Sequence, residues 1–152
     1  EDQELIVNIL DIMENHKMLV ENSGLLTVAA LKHLDCKNKK VVSILSGGNM
    51  DIITLSSVVQ HGLIQRGRVF TVSVQLPDRP GELGKVANVI AEMKGNVIRL
   101  EHNQFVSINR NAAVELRITM EAFGQEHKKE IIDRLKKEGY TPKEESPTGI
   151  YE

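Results

Sequence analysis

The chain has 152 residues, 41% hydrophobic and 26% charged, with a formal net charge of −2, which suits one ordinary globular domain or two small ones. Aromatics make up 3% and interleave with no basic stripe, and no apolar run reaches spanning length, which argues against nucleic-acid and membrane partners. The single cysteine, Cys36, excludes a disulfide framework and a cysteine-type metal cluster and points to a reducing, cytoplasmic compartment.

The chain opens at Glu1 in a pattern that is already helical, as a piece of a longer protein would. Leu5, Ile6, Ile9, Leu10 and Met13 recur at helical spacing, so the first fifteen residues or so form an amphipathic helix. Glu21-Asn22-Ser23-Gly24 interrupts it, and Leu25, Val28, Ala29 and Leu31 begin a second helix of small and apolar residues. Val41-Val42-Ser43-Ile44-Leu45 is an unbroken apolar run, which predicts a strand buried on both faces and ending at Ser46-Gly47-Gly48-Asn49. In a covered parallel sheet, ligands bind beyond the carboxyl ends of the strands. The same residues also suit a plain turn, with Asn49 or Asp51 capping the next helix. That helix carries Ile52, Ile53, Leu55, Val58 and Val59, and Gly62 is expected to close it.

Residues 63–68 read as a joint. Phe70, Val72, Val74 and Leu76 then alternate with Thr71, Ser73 and Gln75, a half-buried strand. Pro77-Asp78-Arg79-Pro80-Gly81-Glu82-Leu83 turns that strand into a helix whose apolar face is Leu83, Val86, Ala87, Ile90 and Met93. Pro80 is expected in the first helical turn, and Gly95 is expected to stop the helix. The free N–H groups and positive dipole end at such a start can receive a polar or anionic group, or the turn can be an ordinary connection. Asn96 to Val106 is extended, Asn109-Arg110-Asn111 turns, and Val114, Leu116, Ile118 and Met120 mark a second alternating strand. Gln125 to Glu138 is a helix stopped at Gly139, Tyr140-Thr141-Pro142 a short edge strand, and residues 144–152 a flexible tail. The order strand–helix–strand–strand–helix–strand over residues 69–143 is the ferredoxin-like βαββαβ arrangement, of class α+β. The five histidines show no metal-ligand spacing, and no metal site is expected. His102 falls on the second strand near the turn, where a minor ligand contact is the alternative to a plain surface position, and it is not counted among the expected site residues.

Asp78-Arg79-Pro80-Gly81-Glu82-Leu83 resembles the D-x-P-G-x-L turn of ACT domains, small-molecule sensors attached to enzymes of amino-acid metabolism. Gly95-Asn96-Val97-Ile98 is similar to that family's second-strand motif, with the asparagine one place early. The resemblance implies an amino-acid effector, isoleucine or valine, held between two ACT copies of a homodimer or larger assembly. Carried over, the effector residues are Asp78, Arg79, Gly81, Leu83 and Asn96. Asp78 suits an ammonium, and the N–H groups near Gly81 and Leu83 suit a carboxylate.

Glu21-Asn22-Ser23-Gly24, the Ala-bearing helix and Ser46-Gly47-Gly48-Asn49 together resemble the end of the catalytic domain of the threonine ammonia-lyases. Those enzymes use pyridoxal phosphate to convert threonine to 2-oxobutanoate and ammonia. The resemblance implies that residues 1–62 are a helical and α/β remnant of a fold-type II pyridoxal-phosphate domain. It assigns Ser46 to the pyridine nitrogen of the cofactor, with Gly47 and Glu21 beside it. The family's Schiff-base lysine motif and its glycine-rich phosphate loop do not occur in the sequence. The expectation is therefore a regulatory, non-catalytic portion of such an enzyme, with no cofactor bound to this portion by itself. The alternative is a free-standing effector-binding and dimerisation module.

Overall fold

A computed structural model describes residues 2–103 and 113–146. The expected turn at Asn109-Arg110-Asn111 and the end of the tail lie outside the described residues. The chain divides into two units, Glu1–Gln65 and Arg66–Glu152. Among the described residues no helix is long and apolar enough to cross a membrane.

In the first unit, α1 (Asp2–His16) buries Ile9 and Ile12 against Val20 and Leu25. A 3-10 turn over Asn22–Leu25 leads into the short α2 (Leu26–Ala30). A long helix, α3 (Ile52–Gln65), adds Val58 to the same cluster. Gly62 lies inside α3 rather than closing it. A side chain there would run into Leu10 of α1 and come within 3.2 Å of Ile6, so glycine is required by close helix packing, not by a turn.

The run Val41–Leu45 is not a strand. Among the described residues of this unit there is no strand to pair with it. Without a ladder the backbone donors and acceptors of an extended run turn to water or side chains. Val42 is 88% exposed and Ile44 74%, while Leu45 packs partly on the small core. The segment is tied down locally: the Thr27 hydroxyl donates to the Ile44 carbonyl (3.1 Å), and the Glu21 N–H donates to the Gly47 carbonyl (3.1 Å). Gly24 permits that approach, since a Cβ there would strike the Ser46 carbonyl and sit 2.8 Å from Val20 Cγ1. Gly24→Ala is expected to destabilise this unit by roughly 3 kcal/mol, read as a lower urea midpoint for α1 and α3 amide exchange.

The second unit is a four-stranded antiparallel sheet in the order β2-β3-β1-β4, from β1 (Val69–Pro77), β2 (Asn96–Asn103), β3 (Ala113–Glu121) and β4 (Lys143–Glu145). Two helices, α4 (Glu82–Glu92) and α5 (Gln125–Lys137), lie on one face. Alternate residues of β1 (Phe70, Val72, Val74, Leu76) and β3 (Leu116, Ile118, Met120) join Val86, Ile90, Ile131 and Leu135 in one core. This is the α+β, ferredoxin-like fold that the alternation implied.

The opposite face is polar, yet β1 is buried there too. Arg117 on β3 reaches across β1 to Glu145 on β4 (2.9 Å) and back to Glu101 on β2 (3.9 Å), roofing Ser73, which is 5% exposed. Beneath that roof the Thr71 and Thr119 hydroxyls bond each other at 2.9 Å. A strand expected to be half buried is therefore buried on both faces, by ion pairs on one and by helices on the other.

Two helix ends differ from the sequence pattern. At the end of α4 the left-handed residue is Lys94 (φ 62°), not Gly95. Gly95 is needed for space, because a Cβ there would sit 2.8 Å from Ile90 and 3.2 Å from Ile131. The last strand is Lys143–Glu145 and not Tyr140–Pro142, since Gly139 (φ 90°) and the Tyr140 N–H bond back to Leu135 first complete the stop of α5.

Candidate functional site

The Asp78–Leu83 turn joins the end of β1 to the start of α4. Gly81 precedes the helix with φ 92°, a conformation that L side chains rarely adopt. Because that left-handed residue takes the capping position, Pro80 lies before the helix and not within its first turn. The Arg79 N–H donates to the Pro77 carbonyl (2.8 Å), and the Lys85 N–H donates to the Gly81 carbonyl (3.1 Å). No side chain caps the helix: the Glu82 N–H donates to the Arg79 carbonyl (3.4 Å), and the donors that follow, with the positive end of the dipole, have no side-chain cap. A Cβ at Gly81 or Gly84 would meet nothing within 4 Å, which leaves open space over the turn.

That space is a cavity of about 320 Å³ lined by residues 76–83 and by His102 of β2. The volume lies at the lower end of ordinary small-molecule sites. Its titratable side chains are Asp78, Arg79, Glu82 and His102. Glu82 is already engaged: Lys85 Nζ donates to Glu82 Oε1 at 2.7 Å, and that carboxylate holds the Lys85 ammonium above its usual range. Among the described residues neither Asp78 nor His102 forms a side-chain hydrogen bond or an ion pair.

Of the residues assigned from sequence, Asp78, Arg79, Gly81 and Leu83 line this cavity together. Asn96 does not. It sits at the opposite end of β2, about 20 Å along the strand from His102, and donates to Glu121 Oε2 at 2.8 Å. His102, near the turn by sequence but not among the expected site residues, lines the cavity as well. Its signal was present: it stands two places after Leu100, on the inward-facing set of the strand.

The Glu21–Gly24 and Ser46–Gly47 segments also come together, but within the first unit. Gly47 (φ 79°) leaves the room that the Glu21 side chain occupies, and the Ser23 hydroxyl donates to Glu21 Oε1 at 2.6 Å. A cavity of about 300 Å³ beside them is lined by Glu21, Asn22, Ser23, Asn49, Met50, Asp51 and Thr54. Asp51 accepts from the Thr54 N–H (2.9 Å) and hydroxyl (2.5 Å), and these bonds hold its carboxyl below the usual range. The lining carries two carboxylates and no lysine or arginine. Such a donor set does not fit the phosphate of pyridoxal phosphate.

Residues 70–139 match the ACT domain model. The chain is 37% identical over 142 residues to the L-threonine ammonia-lyase of Geobacter sulfurreducens, an alignment covering 92% of this chain and 35% of that protein. It is 31% identical over 140 residues to the L-threonine ammonia-lyase of Thermotoga maritima, covering 91% of this chain and 35% of that protein. A biosynthetic L-threonine dehydratase of Pasteurella multocida is 30% identical over 143 residues, covering 90% and 26% respectively. The chain thus spans about a third of the length of the curated relatives it matches. Residues 70–139 of the second unit are an ACT domain, and the chain is similar to the threonine ammonia-lyases along nine-tenths of its own length.

Proposed function

We propose that the chain is the C-terminal regulatory portion of a cytoplasmic threonine ammonia-lyase, binding an amino acid such as isoleucine or valine at the Asp78–Leu83 turn. The carrying observation is the cavity itself. It joins a carboxylate without a partner among the described residues, an uncapped helix start and apolar walls from Leu76, Pro77, Pro80 and Leu83. A zwitterion fits that set, with its ammonium at Asp78 and its carboxylate at the first donors of α4.

In this reading the longer protein converts threonine to 2-oxobutanoate and ammonia on pyridoxal phosphate, and other parts of it supply the lysine and the phosphate cradle. Ser46, Gly47 and Glu21 line the ring side of the cofactor there. The ACT domains associate through β2, an eight-residue edge strand on which Val97 and Leu100 are about two-fifths exposed. Asn96, far from the cavity of its own chain, reaches an effector only from a second copy. Calorimetric titration of the chain with L-isoleucine, L-valine and L-threonine tests the reading. Saturable heat with one of the branched amino acids is expected, and no heat with any of the three from the folded protein would overturn it.

A further inference from the structure

We propose that His102 is the second half of the carboxylate grip in this cavity, closing on the ligand from β2 opposite the first turn of α4. The inference rests on the amino-acid-binding reading above and assigns to it a residue on a different element.

The sheet register supplies the first argument. Leu100 and His102 stand opposite Ile118 and Leu116, which are 1% and 0% exposed in the core beneath the helices. Residues directly opposite each other in an antiparallel pair share a face, so His102 belongs to the helix-covered face. Its neighbours Arg99 and Glu101 take the other face, where they pair with each other at 2.8 Å. At this level of the sheet the helix-covered positions on β3 and β1 are Leu116 and Val74, both in the core. His102 breaks that apolar rule where β2 meets the cavity. Local breaches of pattern concentrate where function requires them.

The second argument is the shape of the site. Residues 76–83 are one continuous stretch, and His102 is the lining residue that comes from elsewhere. It therefore supplies a wall that the turn cannot. Among the lining carboxylates Glu82 is held by Lys85, which leaves Asp78 for the ammonium of a ligand. The carboxylate then lies toward donors. The α4 start offers backbone N–H groups, and an imidazole offers at least one N–H in either of its charge states. A ligand held between them ties the edge strand β2 to α4.

The test pairs ligand and residue in one cycle. Wild-type chain, His102→Ala and His102→Gln are titrated with L-valine and with isobutylamine, which is valine without its carboxylate. L-isoleucine and 2-methylbutylamine form a second pair. His102→Ala should weaken the amino acids about tenfold and leave the amines nearly unchanged, with His102→Gln, which keeps a donor, in between. Because His102 is exposed, all three proteins should melt alike. Equal amino-acid binding by wild type and His102→Ala, or equal loss for amino acid and amine, would overturn the assignment while leaving the effector site standing. Absence of amino-acid binding by the wild type would overturn both.

Discussion

Asp78→Ala is expected to weaken binding of L-isoleucine or L-valine ten- to a hundredfold, with the melting temperature unchanged. The magnitude is that of a lost hydrogen bond between charged partners, on the order of 1.5 to 3 kcal/mol. Asp78 is exposed on the turn and forms no ion pair among the described residues, so its removal breaks no contact of the fold. Glu82 cannot take over the ammonium, since its carboxylate is bound to Lys85. Asp78→Asn separates the two parts of the effect. The amide keeps an acceptor for the ammonium and loses the charge, so its affinity should fall between wild type and alanine. Calorimetry on the three proteins checks the order. Alanine binding as tightly as wild type would place the ammonium elsewhere and remove Asp78 from the site.

Much of the second unit was legible in the sequence because its pattern is local. Phe70, Val72, Val74 and Leu76 alternate because one side of β1 meets helices, and the period of α4 follows from the single face it buries. The failures came where a residue answers to something distant in the chain. Val41–Leu45 has the composition of a buried strand, but a strand also needs a neighbour, and the first unit has none among its described residues. Gly62 and Gly95 looked like helix stops, whereas each is glycine because another side chain, Leu10 or Ile90, fills the place of its Cβ. Thr71 and Ser73 form the polar side of a strand whose alternation predicts half burial, and the Arg117–Glu145 pair that covers them joins residues 28 apart in sequence. The site divides in the same way. Asp78 to Leu83 is one continuous motif and was found whole. His102 enters through the register of β2 on β3: its two-place spacing from Leu100 gives the shared face but not the cavity, and Asn96 matches the motif although its own strand carries it away from the cavity.

Leu116→Ala should produce the largest loss of stability, about 4 kcal/mol, judged by buried leucine-to-alanine replacements generally. Leu116 is fully buried at the centre of the sheet, opposite Val74 on β1 and His102 on β2, under the core formed with α4 and α5. Both strands and both helices would have to move to fill the space, and the roof of ion pairs on the far face resists such collapse. Domains of this size are stable by only about 5 to 15 kcal/mol, so the variant should lie close to unfolding at physiological temperature. Because the chain has two units, a single melting curve mixes two transitions. Amide exchange of β1 and β3 measures the second unit alone. Protection of the Val72, Val74 and Ile118 amides should fall by roughly three orders of magnitude, which is that free energy expressed as an exchange ratio. The comparison with His102→Ala is then informative. The two residues are direct partners in the sheet, yet one should cost stability and the other ligand affinity. Unchanged protection in Leu116→Ala would mean that the core is not organised around β3, and the placement of His102 over the cavity would fall with it.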